Sequence, residues 1–207
     1  MKKIIIVGAG GFGREAFFII KDINKIKPTW NVLGFLDDNK TSLIDEKIEV
    51  PILSKIDDWQ PAEDEYFILG MASPKTKEFI AKKLRVKGAK FATIISPYAL
   101  VNETAQIGEG CVITSFSSIC DCSVIGSFVN VAGSIVGQDA IVGDFTTTTA
   151  YVNIAGVKVG KRCFIGSQSV ILGNIEDDVE VVAGSTVFHK IKAGNKVMGY
   201  PAKRIVL

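Results

Sequence analysis

An aliphatic residue, usually Ile or Val, returns at almost every sixth position between residues 107 and 171. An α-helix has a period of 3.6 residues and an ordinary strand a period of two, so neither produces this pattern. A period of six, with roughly 18 residues per full turn, predicts a triangular parallel β-helix whose hexapeptides each form one short wall and one corner. The repeated positions are Ile107, Ile113, Ile119, Ile125, Val131, Val136, Val142, Thr148, Ile154, Val159, Ile165 and Ile171.

Size and charge agree with a β-helix and exclude some classes of partner. One coil cannot bury its inward row of side chains, but stacked coils build a continuous core. The chain has 207 residues, 47% of them hydrophobic, which is enough for one or two domains. A net charge of +2 with mixed signs gives no reason to expect nucleic acid or an anionic membrane as partner.

The start of the chain and its cysteines predict a cytoplasmic protein. The basic pair Lys2-Lys3 precedes an apolar run too short for a signal peptide, and no stretch approaches the ~20 apolar residues of a membrane span. Of the four cysteines, Cys111 and Cys163 fall at inward positions, while Cys120 and Cys122 form a lone C-x-C. This usage favours reduced thiols over a disulfide or a metal site, so we expect no metal.

The first part of the chain follows a different pattern. Residues 2–7 indicate a buried parallel strand, and residues 14–21 an amphipathic helix. The segment between them is Gly8-Ala9-Gly10-Gly11-Phe12-Gly13. Strand, G-x-G-x-x-G and helix stand in the order of a Rossmann fold, where glycines let the backbone approach a pyrophosphate at the helix N-terminus. A second strand over residues 31–36 ends at Asp37 and Asp38, which would meet a ribose hydroxyl or a base edge.

These features predict a small Rossmann-like domain over residues 1–90 and a β-helix domain over residues 91–207. A third strand is expected over residues 66–71, followed by a helix from Ser73-Pro74 to about Val86. The sheet has room for only three or four strands and no second mononucleotide half. We therefore expect the phosphates of a nucleotide sugar at the glycine motif, with NAD binding or a plain tight turn as alternatives. The predicted contacts are Gly8, Gly10, Gly11, Phe12 and Gly13.

The whole chain resembles the two-domain sugar acyltransferases. That family is typified by sialic-acid O-acetyltransferases and by acetyl-CoA-dependent N-acetyltransferases of nucleotide-linked 4-amino sugars. The resemblance implies a homotrimer of left-handed β-helices that binds acetyl-CoA between neighbouring coils and acetylates the amino group of a nucleotide-linked amino sugar for surface polysaccharide synthesis. It rests on the glycine motif, Gly34-Phe35-Leu36-Asp37-Asp38, Ile107-Gly108-Glu109-Gly110, Val142-Gly143-Asp144-Phe145, Cys163-Phe164-Ile165-Gly166 and Gly199-Tyr200-Pro201-Ala202-Lys203.

The chain departs from the family at the catalytic base. In the family this base is a His two places after the aliphatic residue of a central hexapeptide, followed by Asp or Glu. Here Gln138 takes the place of that His, with Asp139 beside it, and a second family His falls on Thr147. A rival register puts Asp121 at the first position and Asn130 at the second. The only histidine of the chain, His189, stands where the repeats end, and a lone His near a terminus is usually a surface residue.

The loss of this base should slow the enzyme without abolishing its activity. General-base catalysis typically contributes 10²–10⁴-fold, while alignment of the reactants can contribute about 7–11 kcal/mol. Asp139 could accept a proton and Gln138 could hydrogen-bond the incoming group, so these two are the predicted catalytic residues. A sugar O-acetyltransferase and a catalytically silent trimer that binds nucleotide sugar are the alternatives.

The resemblance also implies where the acyl donor binds. Ala155 and Gly156 would place a backbone amide against the thioester oxygen, as in an oxyanion hole. Gly166 and the tail residues Pro201 and Lys203 complete the predicted acetyl-CoA site, the tail contacting the phosphates. The run of four threonines at 146–149 is either a hydroxyl ladder along one wall or, through Thr147, a surface that lines the substrate.

Overall fold

The computed structural model describes residues 1–43 and 47–205. The first five strands form one parallel sheet with the order β3-β2-β1-β4-β5. The sheet therefore has five strands rather than the predicted three or four. The two extra strands at its edges contain three and two residues, too few to show any periodicity. The elements are β1 (Lys2–Val7), α1 (Gly11–Ile26), β2 (Trp30–Leu36), β3 (Ile52–Ser54), β4 (Glu65–Leu69), α2 (Pro74–Val86) and β5 (Lys90–Phe91).

Both helices of this N-terminal unit pack on the sheet through one apolar face. In α1, Ala16, Phe17 and Ile20 are buried, and the helix extends beyond the predicted residues 14–21 at both ends. Helix α2 begins as predicted, with Ser73 as its N-cap, and the Ser73 hydroxyl accepts a hydrogen bond from the Thr76 amide at 3.4 Å. The sequence located this helix well because its start signal is local.

From residue 94 onward the chain forms the predicted parallel β-helix. Its strands are β6 (Ile94–Ile95), β7 (Leu100–Val101), β8 (Gln106–Ile107), β9 (Val112–Ile113), β10 (Ser118–Ile119), β11 (Val124–Ile125), β12 (Asn130–Val131), β13 (Ile135–Val136), β14 (Ile141–Val142), β15 (Thr147–Thr148), β16 (Asn153–Ile154), β17 (Lys158–Val159), β18 (Phe164–Ile165), β19 (Val170–Ile171), β20 (Glu180–Val181), β21 (Thr186–Val187), β22 (Lys196–Gly199) and β23 (Ala202–Arg204). From β6 to β19, successive strands belong to three walls in turn. In the last described coils the third wall continues only as the isolated bridges of Ile175 and Ile191.

The first wall contains β6, β9, β12, β15, β18, β20, β22 and the antiparallel β23. The second wall contains β7, β10, β13, β16, β19 and β21, and the third contains β8, β11, β14 and β17. We call the turn between the first and second walls the first corner, and the turn between the second and third walls the second corner.

The inward row of side chains is the core that the six-residue period predicted. Ile113, Val131 and Ile165 on the first wall are fully buried. Thr148 occupies an inward position too, and its hydroxyl donates to the Asn130 carbonyl at 3.5 Å. This hydrogen bond allows a polar residue in an otherwise aliphatic row, because a buried hydroxyl is costly mainly when it is unpaired.

The outward face of the first wall packs against the N-terminal unit. Lys77 of α2 is only 1% exposed, and its Nζ donates to the carbonyls of Phe128 at 2.8 Å and Thr146 at 3.2 Å. Asn130 Nδ2 donates to the carbonyl of residue 71 at 2.9 Å, and Thr147 Oγ1 to that of residue 72 at 2.7 Å. These bonds fix the end of β4 and the start of α2 on the coil.

Lys77 should make the stability of the protein depend on pH. Burial lowers the pKa of Lys77 from 10.5 to about 7 in the folded chain. Between these values the unfolded chain holds the proton and the folded chain does not. The free energy of unfolding should therefore rise by about 1.4 kcal/mol per pH unit as the pH increases from 7 toward 10.5. This contribution to stability is lost again as the pH falls to 7. Urea denaturation at pH 7 and pH 9 measures it.

The control for this prediction is Lys77→Met, which keeps a long side chain but has no titratable group. Its stability should rise less between pH 7 and pH 9 than that of the natural protein, since all other titrating groups are common to both. Equal gains in the two proteins would mean that Lys77 stays charged in the folded state.

Two of the four thiols lie at the inward positions that the sequence predicted. Cys111 and Cys163 are fully buried, and desolvation raises the pKa of each thiol to about 11, so both are inert. Cys120 is half-buried and Cys122 exposed. Within residues 1–43 and 47–205, no cluster of three or more His, Cys, Asp or Glu side chains could hold a metal ion, and no helix is long and apolar enough to cross a membrane.

Candidate functional site

The glycines of the motif at residues 8–13, the glycine loop, have two different roles. Gly8 has φ +96°, and a Cβ on Gly13 would lie 1.9 Å from the Gly8 carbonyl oxygen, so the fold itself requires both glycines. A Cβ on Gly10 or Gly11 would meet no atom within 4 Å. Gly10 and Gly11 are exposed and meet no steric limit from the protein, so packing does not require them to lack a side chain.

The glycine loop presents backbone amides to the crevice at the carboxyl ends of β1 and β4. Gly10 is the N-cap of α1, and no side chain caps this helix end, which leaves first-turn amides for an anion. Asp37 holds the loop in place: its Oδ2 accepts from the Ala9 amide at 2.7 Å and its Oδ1 from the Asn39 amide at 2.8 Å. The crevice is the switch point of the sheet, where α/β folds bind ligands.

Asp38 lies beside this crevice and is exposed. Its Oδ1 accepts a hydrogen bond from the Ile56 amide at 3.2 Å. The two predicted acidic residues therefore have different roles. Asp37 shapes the glycine loop, and Asp38 is the more accessible of the two carboxylates.

The predicted catalytic residues lie at the second corner. The register of the second wall continues into this corner and stacks one residue from each coil in a column: Glu103, Asp121, Gln138, Gly156, Gly173 and His189. Asp121 is therefore one coil before Gln138, as the rival register requires. His189 is three coils beyond Gln138, about 14 Å away at the usual strand spacing, so it cannot act on the same bond.

Gln138 faces an open hollow of about 490 Å³ on this corner. Its side chain is exposed, and so is that of Asp139, which has φ +58° and donates its amide to the Asp121 carbonyl at 3.2 Å. Cys120 and Asp121 also line the hollow, whereas no described residue of the N-terminal unit does. In one chain, the glycine loop and Gln138 therefore belong to separate surfaces.

Packing requires glycine at position 156, and the backbone amide of this residue is accessible. A Cβ on Gly156 would lie 2.8 Å from the Gln138 carbonyl oxygen, so stacking on the previous coil excludes a side chain. The residue is exposed, and its amide has no hydrogen-bond partner within the described ranges. It can therefore offer an N–H to an oxyanion one coil beyond Gln138. The Ala155 amide cannot do so, because it donates to the Ile171 carbonyl at 3.0 Å.

The other residues predicted to contact the substrate or acetyl-CoA in this half of the chain lie outside this column. Thr147 is 2% exposed and bonded to the N-terminal unit, so it does not line an open surface. The four hydroxyls of the threonine run each donate to a backbone carbonyl. Gly166 is buried, and a Cβ there would lie 2.4 Å from the Ala183 amide nitrogen. Pro201 and Lys203 are exposed at the hairpin of β22 and β23, on the first wall.

Gly70 and Lys77 were not predicted from the sequence to be functional, and Asn130, which the rival register puts at the second family His, has a different role here. Gly70, at the end of β4, packs so closely on the glycine loop that a Cβ would lie 2.5 Å from the Gly13 Cα. Lys77 and Asn130 join the two units, and Asn130 Oδ1 is buried without a hydrogen-bond partner. Asn130 interrupts an apolar strand, which was the only local signal for this joint.

Comparison with known proteins agrees with this architecture. Residues 3–84 match the PglD N-terminal domain. GDP-perosamine N-acetyltransferase of Escherichia coli O157:H7 is 26% identical over 97% of this chain and 95% of its own length.

Solved structures share the fold over the whole chain. PerB from Caulobacter crescentus in complex with CoA and GDP-perosamine superposes with a TM-score of 0.87 at 22% identity, covering 100% of this chain and 98% of PerB. The acetyltransferase domain of PglB from Neisseria gonorrhoeae FA1090 gives 0.86 at 20% identity, covering 99% and 100%. With its PglD-type N-terminal unit and its hexapeptide coil, the chain is similar over its whole length to two-domain sugar N-acetyltransferases.

Proposed function

We propose that this protein transfers an acetyl group from acetyl-CoA to the amino group of a nucleotide-linked amino sugar. The observation that carries the proposal is the glycine loop: Gly10 and Gly11 are open to a ligand and need no small side chain for packing. Anionic phosphates fit these first-turn amides. The similar protein of Escherichia coli O157:H7 is a GDP-perosamine N-acetyltransferase, and PerB binds CoA and GDP-perosamine. We place the boundary between the two domains near residue 90.

The reaction is acyl transfer to nitrogen. The lone pair of the neutral sugar amine attacks the thioester carbonyl carbon, and the developing oxyanion is placed near the Gly156 amide. The C–S bond then breaks, the CoA thiolate leaves, and the amine loses one proton to give the amide. Gln138 would orient the amine by hydrogen bonding, and Asp139, or Asp121 one coil earlier, would accept the proton directly or through water.

An assay with both substrates tests this proposal. Incubation with acetyl-CoA and GDP-perosamine, or with acetyl-CoA and a UDP-linked 4-amino sugar, should yield an N-acetylated sugar nucleotide by mass spectrometry and stoichiometric free CoA. Release of CoA without acetylated sugar would indicate thioester hydrolysis and contradict the proposal.

The site needs a second copy of the chain. The glycine loop packs near the first wall, whereas the hollow at Gln138 is built from coil residues of the second corner alone. Bringing the sugar nitrogen to Gln138 therefore requires the glycine loop of one chain and the second corner of another. The exposed aliphatic side chains Leu100, Ile135 and Ile141 on the second and third walls are suited to such an interface.

We expect a stable homotrimer in solution. Three coils side by side bury the apolar walls that a single coil leaves exposed and close the symmetric assembly. Light scattering at micromolar concentration should give a mass three times the 22.3 kDa of one chain. A monomer at this concentration would leave the site incomplete and contradict both the interface and the shared site.

The presence of Gln138 in place of the family histidine favours a second candidate function. In it, the protein is a trimer that binds nucleotide sugar without catalysis. Thermal-shift profiles with acetyl-CoA, nucleotide sugars and NAD separate the candidates, because a ligand stabilises only a protein that binds it. Stabilisation by nucleotide sugar and not by acetyl-CoA would select the silent trimer. For the enzyme we infer a cytoplasmic role in surface polysaccharide synthesis, where both acetyl-CoA and nucleotide sugars are substrates.

A further inference from the structure

The first corner carries an aromatic column beside the glycine loop. Tyr98, Phe116 and Tyr151 occupy the same position of this corner in different coils. The Phe116 amide donates to the Tyr98 carbonyl at 3.1 Å, and the Tyr151 amide to the Gly133 carbonyl at 2.9 Å. In the coil between Phe116 and Tyr151 the corresponding residue is Gly133, so the column has a gap there.

The corner that contains Gly133 is also shorter than its neighbours. The strand registers leave residues 114–117 to connect the first and second walls in one coil and residues 132–134 in the next. The following coil again uses four residues, 149–152. A Cβ on Gly133 would meet only the Ser115 carbonyl oxygen, at 3.8 Å. The result is a notch between Phe116 and Tyr151, with Gly133 as its floor.

The size of the notch suits a ring. Phe116 and Tyr151 are two coils apart, roughly 9–10 Å at the usual strand spacing. Carbon atoms in contact lie about 3.5–4.0 Å apart, so a ring between two walls needs about 7–8 Å. The notch has a volume of about 250 Å³, and its other lining residues include Phe12, Glu15, Thr114 and Ala132.

Folding alone does not explain these two aromatic residues. Phe116 and Tyr151 have φ values of +62° and +61° and are 86% and 75% exposed. The left-handed conformation costs roughly 1–2 kcal/mol for a residue with a side chain. Phe128 and Phe145, which share this conformation, are stacked on each other at 5.0 Å beneath the N-terminal unit, with Phe128 1% exposed. The aromatic side chains at the notch have no such cover.

We propose that the notch binds the sugar ring of the nucleotide sugar, with Phe116 and Tyr151 as its walls; this inference rests on the proposed function. Phe12 makes the connection, because it stands between Gly11 and Gly13 in the glycine loop and its side chain lines the notch. The group attached to a phosphate on the loop amides thus emerges at Phe12. The C–H face of a pyranose packs on aromatic rings, and Glu15 supplies a carboxylate at the rim for hydroxyl or amino substituents.

Two variants test the notch without threatening the fold. Tyr151→Gly removes one wall and relieves the backbone, since glycine prefers positive φ. Gly133→Phe fills the notch with a residue type that Phe116 already places in this conformation one coil away. The matched control is Gln168→Gly, an exposed residue with φ +61° one coil beyond Tyr151 in the same corner, outside the notch.

Calorimetry compares GDP-perosamine with GDP, and a UDP-linked 4-amino sugar with UDP. For the nucleotide sugar that the natural protein binds, Tyr151→Gly should weaken binding roughly three- to tenfold, in line with the strength of one aromatic contact. Gly133→Phe should remove the whole affinity advantage of the nucleotide sugar over its diphosphate. Affinity for the diphosphate itself should not change in either variant, and Gln168→Gly should behave like the natural protein.

Each other outcome overturns the inference in an identifiable way. Equal loss for sugar nucleotide and diphosphate would place the phosphates, not the sugar, at the notch. Unchanged binding together with a smaller mass by light scattering would show that a second copy of the chain covers the aromatic column. If the natural protein binds neither sugar nucleotide, the proposed function fails as well.

Discussion

Replacing Gln138 by histidine should raise the rate of acetyl transfer about 100-fold. The imidazole would stand at the second corner, beside Asp139, which can orient it and favour its protonated form during transfer. The gain corresponds to the lower end of general-base catalysis. The exposed position of residue 138 on the hollow means that the fold should tolerate the change. Initial rates with acetyl-CoA and an accepted 4-amino sugar nucleotide measure it.

Gln138→Ala is the matched control and should fall no more than about tenfold below the starting rate, the effect of losing one hydrogen bond to the amine. An alanine variant that loses nearly all activity would show that the glutamine itself carries the mechanism. A histidine variant without any gain would instead favour the rival register. The test then moves to Asp121→His, one coil earlier in the same column.

Replacing Gly10 by valine should weaken nucleotide-sugar binding by roughly 10–100-fold. A side chain at this position would crowd the phosphates and displace charge-assisted hydrogen bonds from the loop amides, each worth about 1.5–3 kcal/mol. The protein itself has room for it, since a Cβ on Gly10 meets no atom within 4 Å and its φ of −71° is ordinary for any residue. Calorimetry with the nucleotide sugar and its diphosphate should show the same loss for both.

Acetyl-CoA binding and thermal unfolding are the internal controls for Gly10→Val, and both should remain close to those of the natural protein. Gly13→Ala offers the contrasting case, because its Cβ would collide with the Gly8 carbonyl oxygen and should lower stability first. Unchanged nucleotide affinity in Gly10→Val would reduce the glycine loop to a tight turn.

The absence of the family histidine should affect the rate of acetyl transfer more than the type of reaction. Alignment of the amine and the thioester contributes more to acyl transfer than one general base, and an amine is nucleophilic once neutral. The column of Asp121, Gln138 and Gly156 retains a carboxylate, a hydrogen-bonding side chain and an unpaired amide in neighbouring coils. This combination suits N-acylation better than O-acylation, where a hydroxyl must lose its proton during attack.

Local periodicity by itself determined the coil, the glycine loop and helix α2. The six-residue repeat fixes which side chains point inward, and Ser73-Pro74 marks a helix start, because both signals act within a few residues of the chain. The sequence did not predict β3 and β5, because strands of three and two residues are too short to show a hydrophobic pattern.

Only the tertiary structure decided which residues work together. The separate roles of Gly10 and Gly13 depend on Gly70, which the sheet brings against the loop, and the buried Lys77 depends on the carbonyl of Phe128, 51 residues along the chain. The notch at Gly133 arises from a one-residue difference between stacked corners. Contacts between residues so far apart follow from how sheet and coil are packed and stacked, and the hydrophobic pattern of a single segment carries no record of that packing.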